Sequence, residues 1–164
     1  MMLERGVFME AKRVEDSKSE QIQIIFNSHI NGNKRLFGGQ LLQWIDTVGA
    51  VVARRHACRE VTTACIDNLQ FRAGVMVNST LVLIGKMTYV GRTSMEVRVD
   101  TFVEALGGMR KLVNTAYLVF VALDENQRPA EVPKLMLENE QERDEFENGR
   151  RRQALRKERR NQGY

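Results

Sequence analysis

Between Met95 and Glu104 apolar and polar residues alternate with a period of two: Met95, Val97, Val99, Thr101 and Val103 on one side, Glu96, Arg98, Asp100 and Glu104 on the other. That alternation predicts a half-buried strand. The preceding stretch, Thr80 to Val90, is rich in β-branched and aliphatic residues and joins it through Gly91-Arg92-Thr93, which reads as a tight hairpin. Lys111 to Leu123 predicts a further strand, Val61 to Phe71 a fourth and Gln21 to Phe26 a fifth. From Gly38-Gly39 to about Ala57 the period changes. Leu41, Ile45, Val48 and Val52 recur at helical spacing, while Leu42, Trp44, Ala50 and Val51 widen the apolar face almost all the way round. Such a helix is expected to be buried on most sides. A strand, a loop, one long helix and then four antiparallel strands imply an α+β class: a curved antiparallel sheet wrapped around one central helix.

The 164 residues, 43% of them hydrophobic, suffice for one domain with a sizeable core. The texture changes after Lys134, which sets a folded body at 1–134 and a charged tail at 135–164. In the tail, six acids from Glu138 to Glu147 are followed by seven bases from Arg150 to Arg160, with too little apolar surface to fold alone. It reads as a solvated helix or a disordered polyampholyte, or else as a basic contact for phosphates, acidic partners or RNA. The net charge is only +4 and the bases are mostly interspersed with acids, which argues against nucleic acid as the main partner. Cys58 and Cys65 are too few for a disulfide framework and lack the paired spacing of a zinc site, so reduced thiols in a core and a cytoplasmic location are expected. The N-terminus has no apolar stretch of signal-peptide length, and no run approaches the roughly 20 residues of a membrane span.

Asp46 falls in the middle of the apolar helix, where a carboxylate is costly unless paired or put to use. It either lies on a narrow solvated strip of the helix, or is matched by Arg54 or Arg55 from a neighbouring turn, or is a general base or nucleophile in an enclosed cleft. The loop Asn31-Gly32-Asn33-Lys34-Arg35-Leu36-Phe37 delivers Gly38-Gly39 to the helix start. Two glycines there either allow a tight packing contact or let a ligand oxygen approach open N–H groups at the positive end of the helix dipole. His56 lies ten residues beyond Asp46, roughly 15 Å along the axis, which suits a structural role.

The stretches RVEDSKSEQIQIIF, HINGNKRLFGGQLLQWIDTVGAVVARRHA, VTTACIDNLQF, VGRTSMEVRVD and VFVALDENQRPAEVPKL together resemble the hotdog-fold acyl-CoA thioesterases, in their cytosolic acyl-CoA thioester hydrolase branch. The resemblance runs from about Ala11 to Lys134. It implies the hotdog fold, hydrolysis of fatty acyl-CoA to free acid and CoA, and a catalytic pair at Asn31 and Asp46. Asn31 with the N–H groups of Gly38 and Gly39 would polarise the thioester carbonyl; Asp46 would activate water or form an anhydride. Many members carry Gly where Lys34 stands. The turn residues Arg92, Thr93 and Ser94 read either as a plain hairpin turn or as a CoA contact. No metal site has ligand spacing, and no cofactor is expected beyond the CoA of the substrate.

Helix geometry adds a subunit argument. Asp46 is seven residues past Gly39, about 10 Å along the axis, so one carbonyl cannot meet both. Two such helices packed antiparallel about a two-fold axis would place the glycine end of one beside the partner's Asp46, which makes a homodimer the minimal active unit. The resemblance agrees and implies a trimer of dimers, a hexamer. Two other functions fit the same architecture. A hotdog hydratase or dehydratase needs a His paired with a carboxylate near the helix start, and no His lies between His29 and His56. An acyl-CoA-binding regulatory module needs a DNA-binding element, for which the residues before the first strand are too few.

Overall fold

The helix start at Gly38 and the helix end at Ala57 stand where the periodicity set them. The computed structural model describes residues 9–164. Its elements are β1 (Lys12–Arg13), the single turn α1 (Val14–Ser17), β2 (Ser19–Ile24), a 3-10 turn at Asn27–His29, α2 (Gly38–Ala57), β3 (Glu60–Phe71), β4 (Thr80–Val90), β5 (Ser94–Glu104), β6 (Arg110–Leu123), β7 (Leu135–Met136) and α3 (Glu140–Asn161). Five strands form one antiparallel sheet in the order β2-β4-β5-β6-β3. The hairpins β4–β5 and β5–β6 follow the chain, but β3 crosses to the far edge and pairs with β6 from Glu60↔Leu123 to Phe71↔Asn114. Strands consecutive in sequence are therefore not all neighbours in the sheet. β2 ends two residues earlier than its pattern suggests, because Ile25 turns into the core and gives its N–H to the Ser79 carbonyl at 3.0 Å.

α2 lies on one face of this sheet. Ile45, Val48, Val52 and Ala53 pack with Leu81, Leu83, Met87, Val97, Ala116 and Phe120 in one buried cluster. Burying each aliphatic side chain of this size is worth about 1.5–3 kcal/mol, so this layer dominates the stability of the fold. Close approach depends on Gly85: a Cβ there would stand 2.8 Å from Val48 and 2.9 Å from Val52. The opposite side of α2 stays uncovered. Leu42, Trp44, Ala50 and Val51 are only half-buried, so a single chain does not enclose the helix on most sides as its composition predicts. The neighbouring edge strand β3 is equally bare, with Thr62, Ala64 and Ile66 exposed.

Both cysteines depart from the expected core location. Cys58 and Cys65 are exposed; Cys58 ends α2 in the left-handed conformation (φ 50°) and gives its N–H to the Arg54 carbonyl, while Cys65 sits on the edge strand β3. His56 is structural, as expected. It is fully buried, its Nε2 meets the Pro133 carbonyl at 2.8 Å, and burial holds its imidazole below the ordinary range.

Residues beyond Asn139 form α3, whose start is capped by the Asn139 side chain accepting from the Glu142 N–H at 2.9 Å. It has no apolar stripe, yet it is docked on the outer face of the sheet rather than solvated on all sides. Arg152 and Arg156 each reach the Glu96 carboxylate at 2.8 Å, the Thr88 hydroxyl donates to it at 2.7 Å, and Glu96 is only 1% exposed. Arg156 and Arg159 also contact Asp67 of β3, Arg98 pairs with Asp100 and Glu145, and the Arg152 guanidinium lies 3.8 Å over the Tyr117 ring. Gly149 lets the helix backbone close on Tyr89, where a Cβ would meet the Tyr89 Cβ at 2.6 Å. Glu96, Arg98 and Asp100 are on the polar face of β5 as the alternation implies, but beneath a helix instead of facing water. Among the described residues no helix is long and apolar enough to cross a membrane.

Candidate active site

The loop before α2 is closed on itself by Asn31. Its Oδ1 accepts from the Asn33 N–H at 2.9 Å and the Arg35 N–H at 3.3 Å, and its own N–H bonds the Arg35 carbonyl at 2.8 Å. Lys34 inside this loop has φ 57°, the left-handed region that favours glycine. The loop is then tied to neighbouring chain by the Leu36 N–H on the Val75 carbonyl (2.7 Å) and the Phe37 N–H on the His29 carbonyl (2.8 Å).

Helix α2 opens without a side-chain cap, since Phe37 offers no acceptor. The Gln40 and Leu41 N–H groups return to the Phe37 carbonyl at 3.0 and 3.1 Å, which leaves Gly38 and Gly39 as the open donors of the first turn. Gly39 also serves packing: a Cβ there would lie 2.6 Å from the Phe37 ring. The two readings of the glycine pair are thus compatible. A cavity of about 410 Å³ opens at this point, bounded by Asn31, Gly38, Leu41, Phe71 and Val113 among others.

Asp46 stands two turns further along and does not line that cavity. Its Oδ1 accepts from the Thr63 hydroxyl at 2.8 Å, and Oδ2 meets no donor among the described residues. Neither arginine neighbour pairs with it: Arg54 binds Glu60 at 2.7 Å, and Arg55 donates to the Lys18 carbonyl and the Ser19 hydroxyl. A single chain therefore brings Asn31 and Gly38 to one cavity, with Gly39 the next residue of the helix, but leaves Asp46 apart, with Thr63 as its partner. Thr63 was not legible as a site residue, because two irregularities in the β3–β6 register, at Thr63/Cys65 and Asp67/Gln70, blur which side chains of β3 turn toward α2.

The hairpin residues lie elsewhere. Ser94 pairs with Val121 of β6, about 25 Å along the strand from Val113 at the cavity, and Arg92 is highly exposed, 3.8 Å from Glu131. Within one chain Arg92, Thr93 and Ser94 are at the opposite end of the sheet from Asn31. His29 accepts the Phe26 N–H on Nδ1 at 3.1 Å and packs edge-on against Trp44, with no carboxylate bonded to it among the described residues. Among the described residues no three His, Cys, Asp or Glu side chains converge as metal ligands do.

The model of the thioesterase superfamily matches residues 33–107. An uncharacterised acyl-CoA thioester hydrolase of Bacillus subtilis is 37% identical over 81% of this chain and 78% of its own length. The chain belongs to the acyl-CoA thioester hydrolase family. The structure of the acyl-CoA hydrolase of Staphylococcus aureus with butyryl-CoA, CoA and CoA disulfide superposes on this family member with a TM-score of 0.88 at 30% identity, covering 93% of each chain. An apo hexameric acyl-CoA thioesterase superposes with a TM-score of 0.87 at 35% identity, covering 92% of this chain and 97% of its own. The fold is thus the hotdog fold of this family. Further structures of the Staphylococcus aureus enzyme carry single alanine replacements of an Asp, an Asn and a Thr.

Proposed function

We propose that this chain hydrolyses acyl-CoA thioesters to the free acid and CoA in the cytoplasm, and that its active unit is a homodimer in which each site takes residues from both chains. The observation that carries the reading is the position of Asp46. It lies where the half-buried side of α2 meets the exposed edge of β3, about 10 Å along the axis from the open N–H groups of Gly38 and Gly39. Antiparallel pairing of two β3 edges covers both bare surfaces at once and sets one chain's Asn31, Gly38 and Gly39 beside the partner's Asp46. The same pairing moves the partner's Arg92, the partner's Thr93 and the partner's Ser94 to the cavity end of the joined sheet, where they can hold the CoA moiety. The hexameric relative supports assembly of three such dimers.

In the reaction, Gly38 and Gly39 N–H groups and Asn31 stabilise the charge gained by the carbonyl oxygen. Water, deprotonated by the partner's Asp46, adds to the carbonyl carbon and the C–S bond breaks, or that carboxylate adds itself and water then cleaves the resulting mixed anhydride to free acid and Asp46. In both routes the departing CoA thiolate is protonated by the proton the water gives up. The residues replaced in the Staphylococcus aureus enzyme support the assignment: its Asn, Asp and Thr are separated by 15 and 17 positions, the spacings of Asn31, Asp46 and Thr63. No metal or cofactor takes part in this scheme. The test is release of CoA thiol from a panel of acyl-CoAs, with and without a chelator. Turnover indifferent to the chelator is expected; an inert protein, or activity lost with the chelator and restored by zinc, overturns the reading.

A further inference from the structure

We infer that Arg35 and Arg72 form an anion-reading pair at the cavity that opens from the start of α2, and that they hold an oxyanion of the thioester away from its reacting carbonyl. The inference rests on the reading of this cavity as the acyl-CoA site. Both arginines line it, and every other lining residue is neutral and mostly apolar, so among the described residues the only formal charges at its walls are two guanidinium groups. Several arginines elsewhere are matched by acids, Arg54 by Glu60, Arg98 by Asp100 and Arg110 by Glu104. Arg35 and Arg72 pair with no carboxylate among the described residues.

The pair is positioned by the backbone that positions Asn31. The Arg35 N–H is held by the Asn31 side chain, Arg35 bridges to Met76, and the Arg72 N–H donates to the Val113 carbonyl at 3.0 Å. Gly74 leaves the space that the Arg35 side chain fills, since a Cβ there would lie 3.0 Å from its Cδ and 3.3 Å from its Nε. Guanidinium groups bind phosphate and carboxylate in bidentate fashion, and the apolar wall between them and Gly38 suits the neutral part of the same molecule. A thioester of CoA offers such an anion in two places: the phosphates of the CoA moiety, or a second carboxylate at the far end of the acyl chain.

The test compares Arg35→Ala, Arg72→Ala and the double variant of the full chain, each checked for fold and assembly. The substrates are butyryl-CoA, butyryl-pantetheine and succinyl-CoA. Losing a hydrogen bond to a charged group predicts a KM about tenfold higher per arginine, with kcat changed far less. If the phosphates are the anion, the penalty holds for both CoA thioesters and collapses on butyryl-pantetheine, which lacks them. If an acyl carboxylate is the anion, the penalty is confined to succinyl-CoA. Unchanged KM for both CoA thioesters in active variants overturns the pair. Should the native chain hydrolyse no thioester, the functional reading fails separately, and calorimetry with CoA and with succinyl-CoA judges the arginines: roughly tenfold or greater weakening for either ligand in the double variant supports them, equal affinity for both overturns them.

Discussion

The Thr63 hydroxyl donates to Asp46 Oδ1 across 2.8 Å and so links the middle of α2 to the edge strand β3. One carboxylate oxygen is held in place; the other remains open to a reactant. Asp46→Asn should lower kcat by about two to four orders of magnitude with the fold intact, the span usual for a lost base. Thr63→Val removes only the orienting bond and should cost roughly tenfold in kcat at little change in KM. Steady-state kinetics on both variants check this, and full turnover in Asp46→Asn removes the residue from the mechanism.

A shared site predicts complementation. Asn31→Ala and Asp46→Asn chains, each nearly inactive alone, should regain about a quarter of native activity after subunit exchange at equal concentrations. Half of the dimers are then mixed, and each mixed dimer holds one intact site. Native mass spectrometry must show the mixed dimer. Exchange without recovered turnover rules out the arrangement proposed here.

Docking of α3 through charge makes a contrast between two changes. Deleting residues 139–164 should leave a cooperatively folding sheet and α2, because Glu96 then meets water. Removing Arg152 and Arg156 while α3 stays in place would strand a buried carboxylate at about 3–5 kcal/mol, more than a helix without an apolar stripe can offset. In Arg152→Ala/Arg156→Ala the helix should therefore lift. Its cleavage by protease should be rapid, and the melting temperature should approach that of the truncated chain. A protected α3 in the double variant refutes the ionic account.

Stability should depend on pH through His56. Burial lowers its proton affinity in the folded chain, so the unfolded chain binds more protons below the ordinary value of 6.5. The contribution is fully present above 6.5 and is lost as pH falls toward the lowered folded value. Melting temperature should drop between pH 7 and 5, and His56→Gln, which can still donate to the Pro133 carbonyl, should flatten that slope. Equal slopes for the two proteins would assign the effect elsewhere.

Periodicity alone located α2 and the four long strands, because burial writes a period of 3.6 or 2 into the residues that face the core. It could not place β3 within the sheet. Alternation states which face a side chain takes, not which strand lies beside it, and the pairing of β3 with β6 instead of β4 leaves no trace in either segment. The docking of α3 was hidden for a different reason: Glu96 and Arg156 are both polar, and two charged surfaces that match each other look like two solvated ones. Asn31, Gly38, Gly39 and Asp46 were legible as unusual residues around one apolar helix. Thr63, Arg35 and Arg72 are ordinary in sequence, and the roles proposed for them come from what the crossing of β3 and the 72–76 segment set next to them.

The two ends of α2 are finished differently. At the C-terminal end the Lys12 ammonium reaches the Arg55 carbonyl at 2.8 Å and the Cys58 N–H takes the Arg54 carbonyl, so the chain satisfies its own helix. At the other end Phe37 supplies its carbonyl but no side-chain acceptor for the Gly38 and Gly39 N–H groups. In the site proposed above, a ligand oxygen at Gly38 and Gly39 would act as the helix's missing N-cap. Ligand occupancy should complete the fold as well as fill the site: at one hundred times its dissociation constant, a non-hydrolysable thioether of CoA should add about 2.7 kcal/mol to the stability of the whole chain.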